Sequence, residues 1–299
     1  MVIRMSYNID ETLKSSDLNS DLKPHLLFRE VLLGAEKRKV FMQLVEETDE
    51  LIGAVGTKIS VPYVSAGFST GSITADNLDM SGYSATEMAI SDIDITIGNI
   101  IYAATKLADV LKEDQPKYDW VRIAVRKMGE SVAETREADV RDTIIAGIGS
   151  TFSAASAGTL AYADVTKAVN KYLKANSWYP EVQNPPILVL HPDQEDDLAN
   201  STLFVDTARY SDVDAPFTGE TGKFASCRVL STDLMTPALA LVIMPPNVSY
   251  GPTTVFAWKR RTLLKTSEEV DFGRTLYVIS ERYGVSVVQP AGIVLISNC

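Results

Sequence analysis

The sequence predicts an α+β protein in which one long helix lies between a β-hairpin and a β-rich C-terminal third. Apolar side chains recur at spacings of three and four between residues 117 and 148, which is the period of an amphipathic helix. Two runs of alternating apolar and polar residues lie at the ends of the stretch 57–97. Six candidate strands then follow one another after residue 223. Segregated helices and strands of this kind are typical of the α+β class.

Length and composition indicate a globular chain of 299 residues, which suffices for one large domain or two. Hydrophobic residues make up 45% of the sequence and charged residues 22%, which is ordinary for a soluble protein. We expect no signal peptide, because no apolar run follows the first arginine, and no membrane span. Cys227 and Cys299 form neither a disulfide framework nor a metal-ligand spacing, which favours a reducing compartment.

The formal net charge of −11, from 28 basic and 39 acidic residues, argues against sequence-specific binding of nucleic acid. Two local basic clusters remain, and we interpret both as solvated or ion-pairing surfaces. They comprise Arg29, Lys37, Arg38 and Lys39 in the first cluster and Lys259, Arg260 and Arg261 in the second.

The N-terminal quarter predicts an arm, a helix and the first half of a hairpin. Residues 1–24 are polar without a sustained period and are expected to order only against a partner. Residues 25–51 carry an imperfect helical stripe that ends near Gly53. In the stretch 57–97, alternation predicts two strands separated by the small-residue segment 65–86. A lone two-stranded ribbon is marginal in water, so this hairpin needs a neighbour.

The apolar stripe of the long helix consists of Trp120, Val121, Ala124, Val125, Met128 and Val132 and continues through Val140, Ile144 and Ile148. Asp119 is a candidate N-cap, and Gly147 and Gly149 are expected to end the helix. Off the stripe we expect ion pairs four residues apart, Arg126–Glu130 and Glu137–Arg141. Gly129 is expected to cost about 1 kcal/mol relative to alanine. A short helix over residues 99–111 is predicted to precede the long one.

The C-terminal half predicts a flexible linker over 150–158, a helix over 159–175 and a buried strand over 187–190. A His-Pro turn then leads into a helix through Leu203, with Asp193 as the expected cap. The candidate strands that follow are Phe224–Leu230, Ala238–Met244, Thr254–Lys259, Glu269–Ser280, Gly284–Val288 and Gly292–Ser297.

No catalytic, cofactor-binding or metal-binding constellation is predicted. His25 and His191 are interpreted as structural, and neither cysteine has a histidine nearby in sequence. The acidic residues at 193 and 195–197 occupy helical positions that point in different directions, so they cannot converge on one ion. Asp92 and Asp94 share a strand face that a hairpin surface explains. The GETGK at 219–223 lacks the first glycine and the Ser/Thr of a phosphate loop.

Three stretches carry a resemblance to a known family. They are PILVLHP at 186–192 followed by a helix, GKFASCRVLSTDL at 222–234, and ERYGVSVVQPAGIV at 281–294. Together with the order of elements, they resemble the Hong Kong 97-type major capsid proteins of tailed double-stranded DNA viruses. Ala225 stands where many relatives have glycine.

The resemblance implies a division of the chain into named parts. They are an N-terminal arm (1–24), a helical segment of the P domain (25–56), the E-loop hairpin (57–97), the P domain (98–155) with its spine helix (117–148), the A domain (156–254), and P-domain strands with a C-terminal strand returning to the A domain (255–299). Lys58 is the only lysine between residues 41 and 105, and nothing in the sequence indicates that it forms a cross-link.

It also implies a function and partners. The chain would assemble with itself into pentamers and hexamers of an icosahedral or prolate shell, in a virion formed in the host cytoplasm. A separate scaffolding protein, a portal and cement proteins would be partners. Double-stranded DNA would be enclosed without sequence-specific binding, and no membrane or cofactor would be involved. The alternatives are an encapsulin-type cellular compartment, an enzyme with its site in the central α/β unit, and a tail-tube or other virion protein.

Overall fold

The computed structural model describes residues 29, 31, 40–64, 90–98, 100–109, 119–174, 185–199, 223–224, 227–246 and 251–299. The predicted arm, the segment 65–86, His25 and most of the GETGK stretch lie outside these residues. The chain divides into two compact units. Unit 1 comprises Met1–Lys39, Ile100–Ala138 and Arg260–Arg282, and unit 2 comprises Val40–Asn99, Asp139–Lys259 and Tyr283–Cys299.

The described strands are β1 (Glu46–Thr48), β2 (Lys58–Val64), β3 (Ile90–Thr96), β4 (Ile100–Ala108), β5 (Ser150–Ser153), β6 (Ile187–Leu190), β7 (Lys223–Phe224), β8 (Cys227–Ser231), β9 (Leu239–Ile243), β10 (Thr254–Glu269), β11 (Arg274–Val287) and β12 (Ile293–Ser297). The α-helices are α1 (Trp120–Ala146), α2 (Tyr162–Lys167) and α3 (Pro192–Ala199). A π-helix, Ala168–Leu173, continues α2, and short 3₁₀ turns occupy Phe41–Leu44, Val270–Phe272 and Pro290–Gly292. The unit boundaries fall within α1, β10 and β11.

The long helix is confirmed as α1, with 27 residues and a length of about 40 Å. The Asp119 carboxylate accepts a hydrogen bond from the Arg122 amide at 3.0 Å, so the expected N-cap is present. The Arg126–Glu130 pair also forms, at 3.8 Å. Glu137, expected on the charged side of the helix off the stripe, is fully buried instead. Arg141 pairs with Asp142 and donates to the Leu234 carbonyl.

The core of unit 1 forms where α1 packs on strands β4 and β11. Val125, Met128 and Val132 of the helix lie against Tyr277 and Ile279 of β11 in one cluster. Side chains from β4 and β10 complete this cluster, namely Ile101, Ala103, Leu107 and Leu264. The apolar stripe predicted from the sequence is therefore the face that α1 buries.

The helix predicted over residues 99–111 is wrong. Strand β4 occupies Ile100–Ala108 and pairs antiparallel with β11, from Ile100 opposite Arg282 to Ala108 opposite Arg274. Its side chains alternate between half-buried and exposed along all nine residues. The run Ile100-Ile101, Ala103-Ala104, Leu107-Ala108 satisfies a helical and a strand period equally well, and pairing with β11 decides between them.

Unit 2 contains a six-stranded sheet in the order β5-β12-β9-β6-β8-β7. Strand β6 is buried along all four residues, as predicted, and lies between an antiparallel β9 and a parallel β8. Val165 of α2, Leu173 of the π-helix and Leu160, two residues before α2, lie in the same buried cluster as the sheet residues Leu188 and Val242. Within α2, Ala163 is exposed and Asp164 is buried.

Four further boundary predictions are wrong. Residues 150–153 are strand β5, paired parallel with β12, and not part of a flexible linker. The end of the predicted 25–51 helix is a 3₁₀ turn followed by β1, which pairs parallel with β10. The strand predicted to end at Lys259 extends to Glu269, and the last two predicted strands before residue 288 are one continuous β11. Long paired partners override the local turn signals that the sequence offers.

The strands of the hairpin are confirmed. Strands β2 and β3 pair antiparallel, from Lys58 opposite Thr96 to Val64 opposite Ile90. Ile59 and Val61 lie with Ile93 and Ile95 in a cluster that also holds Val255. The apolar face of the hairpin base is thus buried within unit 2.

Candidate assembly surfaces

The polar face of the hairpin base carries an ion pair. Lys58 contacts the Asp94 carboxylate, and the Ser60 hydroxyl donates to the same carboxylate at 2.6 Å. The hydrogen bond from Lys58, followed by that from Ser60, lowers the pKa of Asp94 below its usual range. All of these groups are solvent-exposed. The base therefore presents a fixed, charged outer face.

The turn between β10 and β11 presents apolar side chains to solvent. Val270 is 83% exposed and Phe272 is 69% exposed. The Glu269 carboxylate on one side of the turn accepts from Arg274 Nε at 2.5 Å and pairs with Lys106 at 3.0 Å. The hydrogen bond from Lys106, followed by that from Arg274, lowers the pKa of Glu269. The Arg274 guanidinium also lies 4.5 Å from the centre of the Phe272 ring, which holds the ring in place.

A third surface lies on the outer face of β4. Ile100 is 49% exposed and Tyr102 is 68% exposed, on the face turned away from α1. A soluble monomer exposes single apolar residues routinely, but apolar side chains gathered on one strand and on one turn of the same unit are typical of association surfaces.

The side chains between α1 and β11 in unit 1 include a buried charge pair. Arg136 Nη1 donates to both Glu281 carboxylate oxygens at 3.1 Å, and these side chains are 4% and 1% exposed. The Thr262 hydroxyl from β10 donates to the same carboxylate at 2.5 Å. One carboxylate thereby joins a helix and two strands, and this network rigidifies the scaffold of unit 1.

The predicted structural role of His191 is consistent with its position at the start of α3. Its Nδ1 accepts from the Asp193 amide at 3.2 Å, and the Gln194 side chain accepts from the His191 amide at 3.2 Å. This reciprocal arrangement makes His191 the N-cap and corrects the expectation for Asp193. The Gln194 amide also donates to the Cys299 carbonyl at 3.3 Å, which ties α3 to the last strand region of unit 2.

The two thiols are buried and free. Burial raises the pKa of Cys227 to about 12, and burial is also the main reason that the pKa of Cys299 is raised to about 11. A thiol protonated at neutral pH is a poor nucleophile. Among the described residues no group of three His, Cys, Asp or Glu side chains could hold a metal ion. No helix within the described ranges is long and apolar enough to span a membrane.

The remaining residues singled out in the sequence lie apart from one another. Glu195, Asp196 and Asp197 lie on α3 with the half-buried or exposed side chains of a solvated helix. Lys259 donates to the Ala54 carbonyl, and Arg260 donates to the Ser280 hydroxyl at 2.9 Å. Of the first basic cluster only Arg29 is described, and it is exposed. The sequence did not identify Tyr102, Val270 or Phe272, because exposure of an apolar residue leaves no signal in a single sequence.

Comparison with solved structures gives the fold class. The chain is similar to the capsid structure of the cyanophage P-SCSP1u, with a TM-score of 0.66, 16% identity, and coverage of 87% of this chain and 88% of that one. It is also similar to a structure from the Mycobacterium phage Che8, with a TM-score of 0.63, 15% identity, and coverage of 87% of this chain and 92% of that one. For a virus-like particle from Pyrococcus furiosus the TM-score is 0.60 and the identity 14%, with coverage of 92% of this chain and 99% of that one. The protein has the α+β Hong Kong 97-type fold of major capsid proteins.

The sequence itself gives the family. A family model described as phage capsid protein matches residues 103–296, which is more than half of the chain. The chain belongs to this family of phage capsid proteins, and its function is that of a major capsid shell protein. Comparison with curated proteins finds no significant match.

Proposed function

We propose that this protein assembles with itself into pentamers and hexamers that close an icosahedral or prolate shell around viral double-stranded DNA. The match of residues 103–296 to the phage capsid family carries the proposal. Head-to-tail contacts around a rotation axis produce closed rings, so one chain can build both five- and six-membered rings. The exposed Tyr102, Val270 and Phe272 supply apolar surface for such contacts.

Within this shell, the parts of the chain take the roles that the resemblance implies. The hairpin 57–97 is the E-loop, α1 is the spine of the P domain, and the six-stranded sheet of unit 2 is the core of the A domain. The buried base of the hairpin supports its role as an anchored projection, because Ile59 and Val61 fix it to unit 2. The segment 1–24 is an arm that orders against other subunits.

The partners other than copies of the chain itself are a separate scaffolding protein, a portal and cement proteins, and assembly takes place in the host cytoplasm. The chain is a structural protein without enzymatic activity. Membership of a family of structural shell proteins supports this part of the proposal.

Expression of the chain alone tests the proposal, with size exclusion and negative-stain electron microscopy as readouts. Closed particles, or rings of five and six subunits, are the expected result. Co-expression with the neighbouring genes of its genome is the second arm, since it supplies a scaffold if one is needed. A monomer of about 33 kDa in both arms would overturn the proposal.

An encapsulin-type compartment is the second candidate, and the likeness to the Pyrococcus furiosus virus-like particle, at a TM-score of 0.60, favours it. The content of particles purified from the native source separates the two. Packaged double-stranded DNA supports a virus, whereas a protein cargo without DNA supports a compartment. Neighbouring genes separate them too, because portal and terminase genes accompany a viral shell.

A further inference from the structure

The loop that follows β1 presents apolar side chains to solvent beside a group of carboxylates. Val55 is fully exposed and Ile52 is 44% exposed. Four exposed acidic residues directly precede them in the chain, namely Glu46, Glu47, Asp49 and Glu50. We call residues 46–55, which belong to unit 2, the acidic loop.

The acidic loop is held in place by contacts with the rest of unit 2. The Leu51 side chain is only 6% exposed and lies in the apolar cluster at the hairpin base. The Ile52 amide donates to the Asp49 carbonyl at 2.9 Å, and the Lys259 ammonium donates to the Ala54 carbonyl. An ordered loop loses little conformational entropy when it makes a contact, so its two exposed apolar side chains are suited to binding a partner.

A surface of the opposite charge lies on the first turns of α1, in unit 1. Ile123 is 46% exposed, and it shares one side of the helix with the residues three and four positions further on, Arg126 and Lys127. Arg122 lies on this side too, four residues before Arg126. Glu130 pairs with Arg126 and Lys127, so three cations accompany one carboxylate here. We call Arg122, Ile123, Arg126 and Lys127 the basic face of α1.

The charge of the basic face is unfavourable for the helix that carries it. The N-terminal end of a helix has a partial positive charge and favours carboxylates in the first turn. The first turn of α1 contains no acidic residue and instead contains Arg122. A departure from the locally favoured residue is expected where a surface serves a contact outside its own element.

We propose that the acidic loop of one copy of this chain binds the basic face of α1 in a second copy. The two surfaces are complementary, because each combines exposed apolar side chains with charges of opposite sign. A second copy is the chosen partner because the chain belongs to a family of capsid proteins, in which each subunit lies among copies of itself. Contact between two different surfaces is head-to-tail, which is the type that closes rings. This inference rests on the proposed function.

Charge reversal in two separate variants tests the contact. The helix variant carries Arg122→Glu and Lys127→Glu, and the loop variant carries Glu46→Lys, Asp49→Asn and Glu50→Lys. In either variant alone, surfaces of like charge would meet. We therefore expect each variant to form rings and particles at about a tenth of the wild-type yield or less, under conditions in which wild-type chains assemble. Circular dichroism of the unassembled chains shows that the variants are folded.

A mixture of the two variants separates contact between chains from contact within one chain. When copies of the helix variant and the loop variant alternate, every contact again joins opposite charges. Alternation requires an even number of subunits, so we expect the mixture to form six-membered rings and no five-membered rings in negative-stain electron microscopy. An attraction within a single chain would be lost in both variants, and mixing would not restore it.

The matched control combines Lys171→Glu with Lys265→Glu. Both lysines are exposed and lie outside the two surfaces, and the control adds the same negative charge as the helix variant. It should assemble as the wild type does. Normal assembly of either reversal variant alone, or a mixture that forms no rings, would overturn this inference. Wild-type chains that form neither rings nor particles, with or without the neighbouring genes, would overturn the proposed function instead.

Discussion

At the scale of residues, the stability of unit 1 depends on the buried ion pair between Arg136 and Glu281. One guanidinium nitrogen of Arg136, Nη1, donates to both oxygens of the Glu281 carboxylate at 3.1 Å. Both side chains are almost fully buried, and the Thr262 hydroxyl donates to the same carboxylate. A buried pair of this kind adds little net stability against an apolar replacement of both partners, but removal of one partner leaves an uncompensated buried charge.

We therefore expect Arg136→Ala to lower the free energy of unfolding of the unassembled chain by about 3–5 kcal/mol, measured by denaturant titration. Lys127→Ala is the matched control, because Lys127 pairs with Glu130 on the same helix at 2.6 Å but is 73% exposed. It should cost under about 1 kcal/mol. Replacing both Arg136 and Glu281 with apolar residues should cost less than the sum of the single changes. Equal effects of Arg136→Ala and Lys127→Ala would contradict this account.

At Gly129 the structure contradicts the expectation from the sequence that alanine would be the more stable residue. At an exposed helix position, replacement of glycine by alanine raises the free energy of unfolding by about 0.5–1 kcal/mol. A Cβ at Gly129 would lie 2.6 Å from the Val31 carbonyl oxygen and 3.1 Å from its Cα, both of them backbone atoms. We expect Gly129→Ala to destabilise by about 1–3 kcal/mol in the same titration, because the close approach of the two backbones must open. Ser131→Ala, exposed two residues later, should be neutral or stabilising.

The cysteines lead to a prediction about pH and reactivity. Since burial raises the pKa of Cys227 to about 12 and that of Cys299 to about 11, both thiols stay protonated in the folded chain at pH 8.5. A raised folded-state pKa contributes stability that is complete below the ordinary thiol value near 9 and is lost as pH rises through 11–12. A chromogenic thiol reagent at pH 8.5 should detect no thiol in the native chain and two in denaturant. Rapid labelling of one native thiol would show that its burial is incomplete.

At the scale of elements, the base of the hairpin contributes to the folded unit 2, whereas we expect its distal residues to serve assembly. Its base is fixed in unit 2 by Ile59, Val61, Ile93 and Ile95, so the distal residues are not needed to hold the strands. We expect deletion of residues 65–86 to leave a soluble chain with an unchanged circular dichroism spectrum that forms particles poorly. Normal particles from this deletion, judged by electron microscopy, would show that the hairpin is not an intersubunit element.

At the scale of the whole molecule, net charge governs how the shell treats its contents. A chain with 28 basic and 39 acidic residues lacks the excess of cations that neutralises phosphates. We expect assembled shells to bind free double-stranded DNA weakly, with little dependence on salt between 50 and 200 mM, as measured by a filter or anisotropy assay. Tight binding with a steep decline over that range would show a basic surface that the net charge hides.

The sequence by itself determined the elements with a long, single-period pattern. The stripe from Trp120 to Ile144 and the alternation of Ile93, Ile95 and Ile97 each admit one local structure, so α1 and the hairpin strands were predicted. The order of these elements and three short stretches of sequence were enough to identify the fold family.

Only the tertiary structure decided the elements whose pattern fits two periods and the residues whose role depends on a distant neighbour. Residues 100–108 form a strand because β11 pairs with them, and residues 150–153 form a strand because β12 pairs with them. Glu281 is buried because Arg136, 145 residues away in sequence, meets it. Gly129 is required because Val31 crosses there. Each of these depends on contacts between distant parts of the chain, which the local order of residues does not encode.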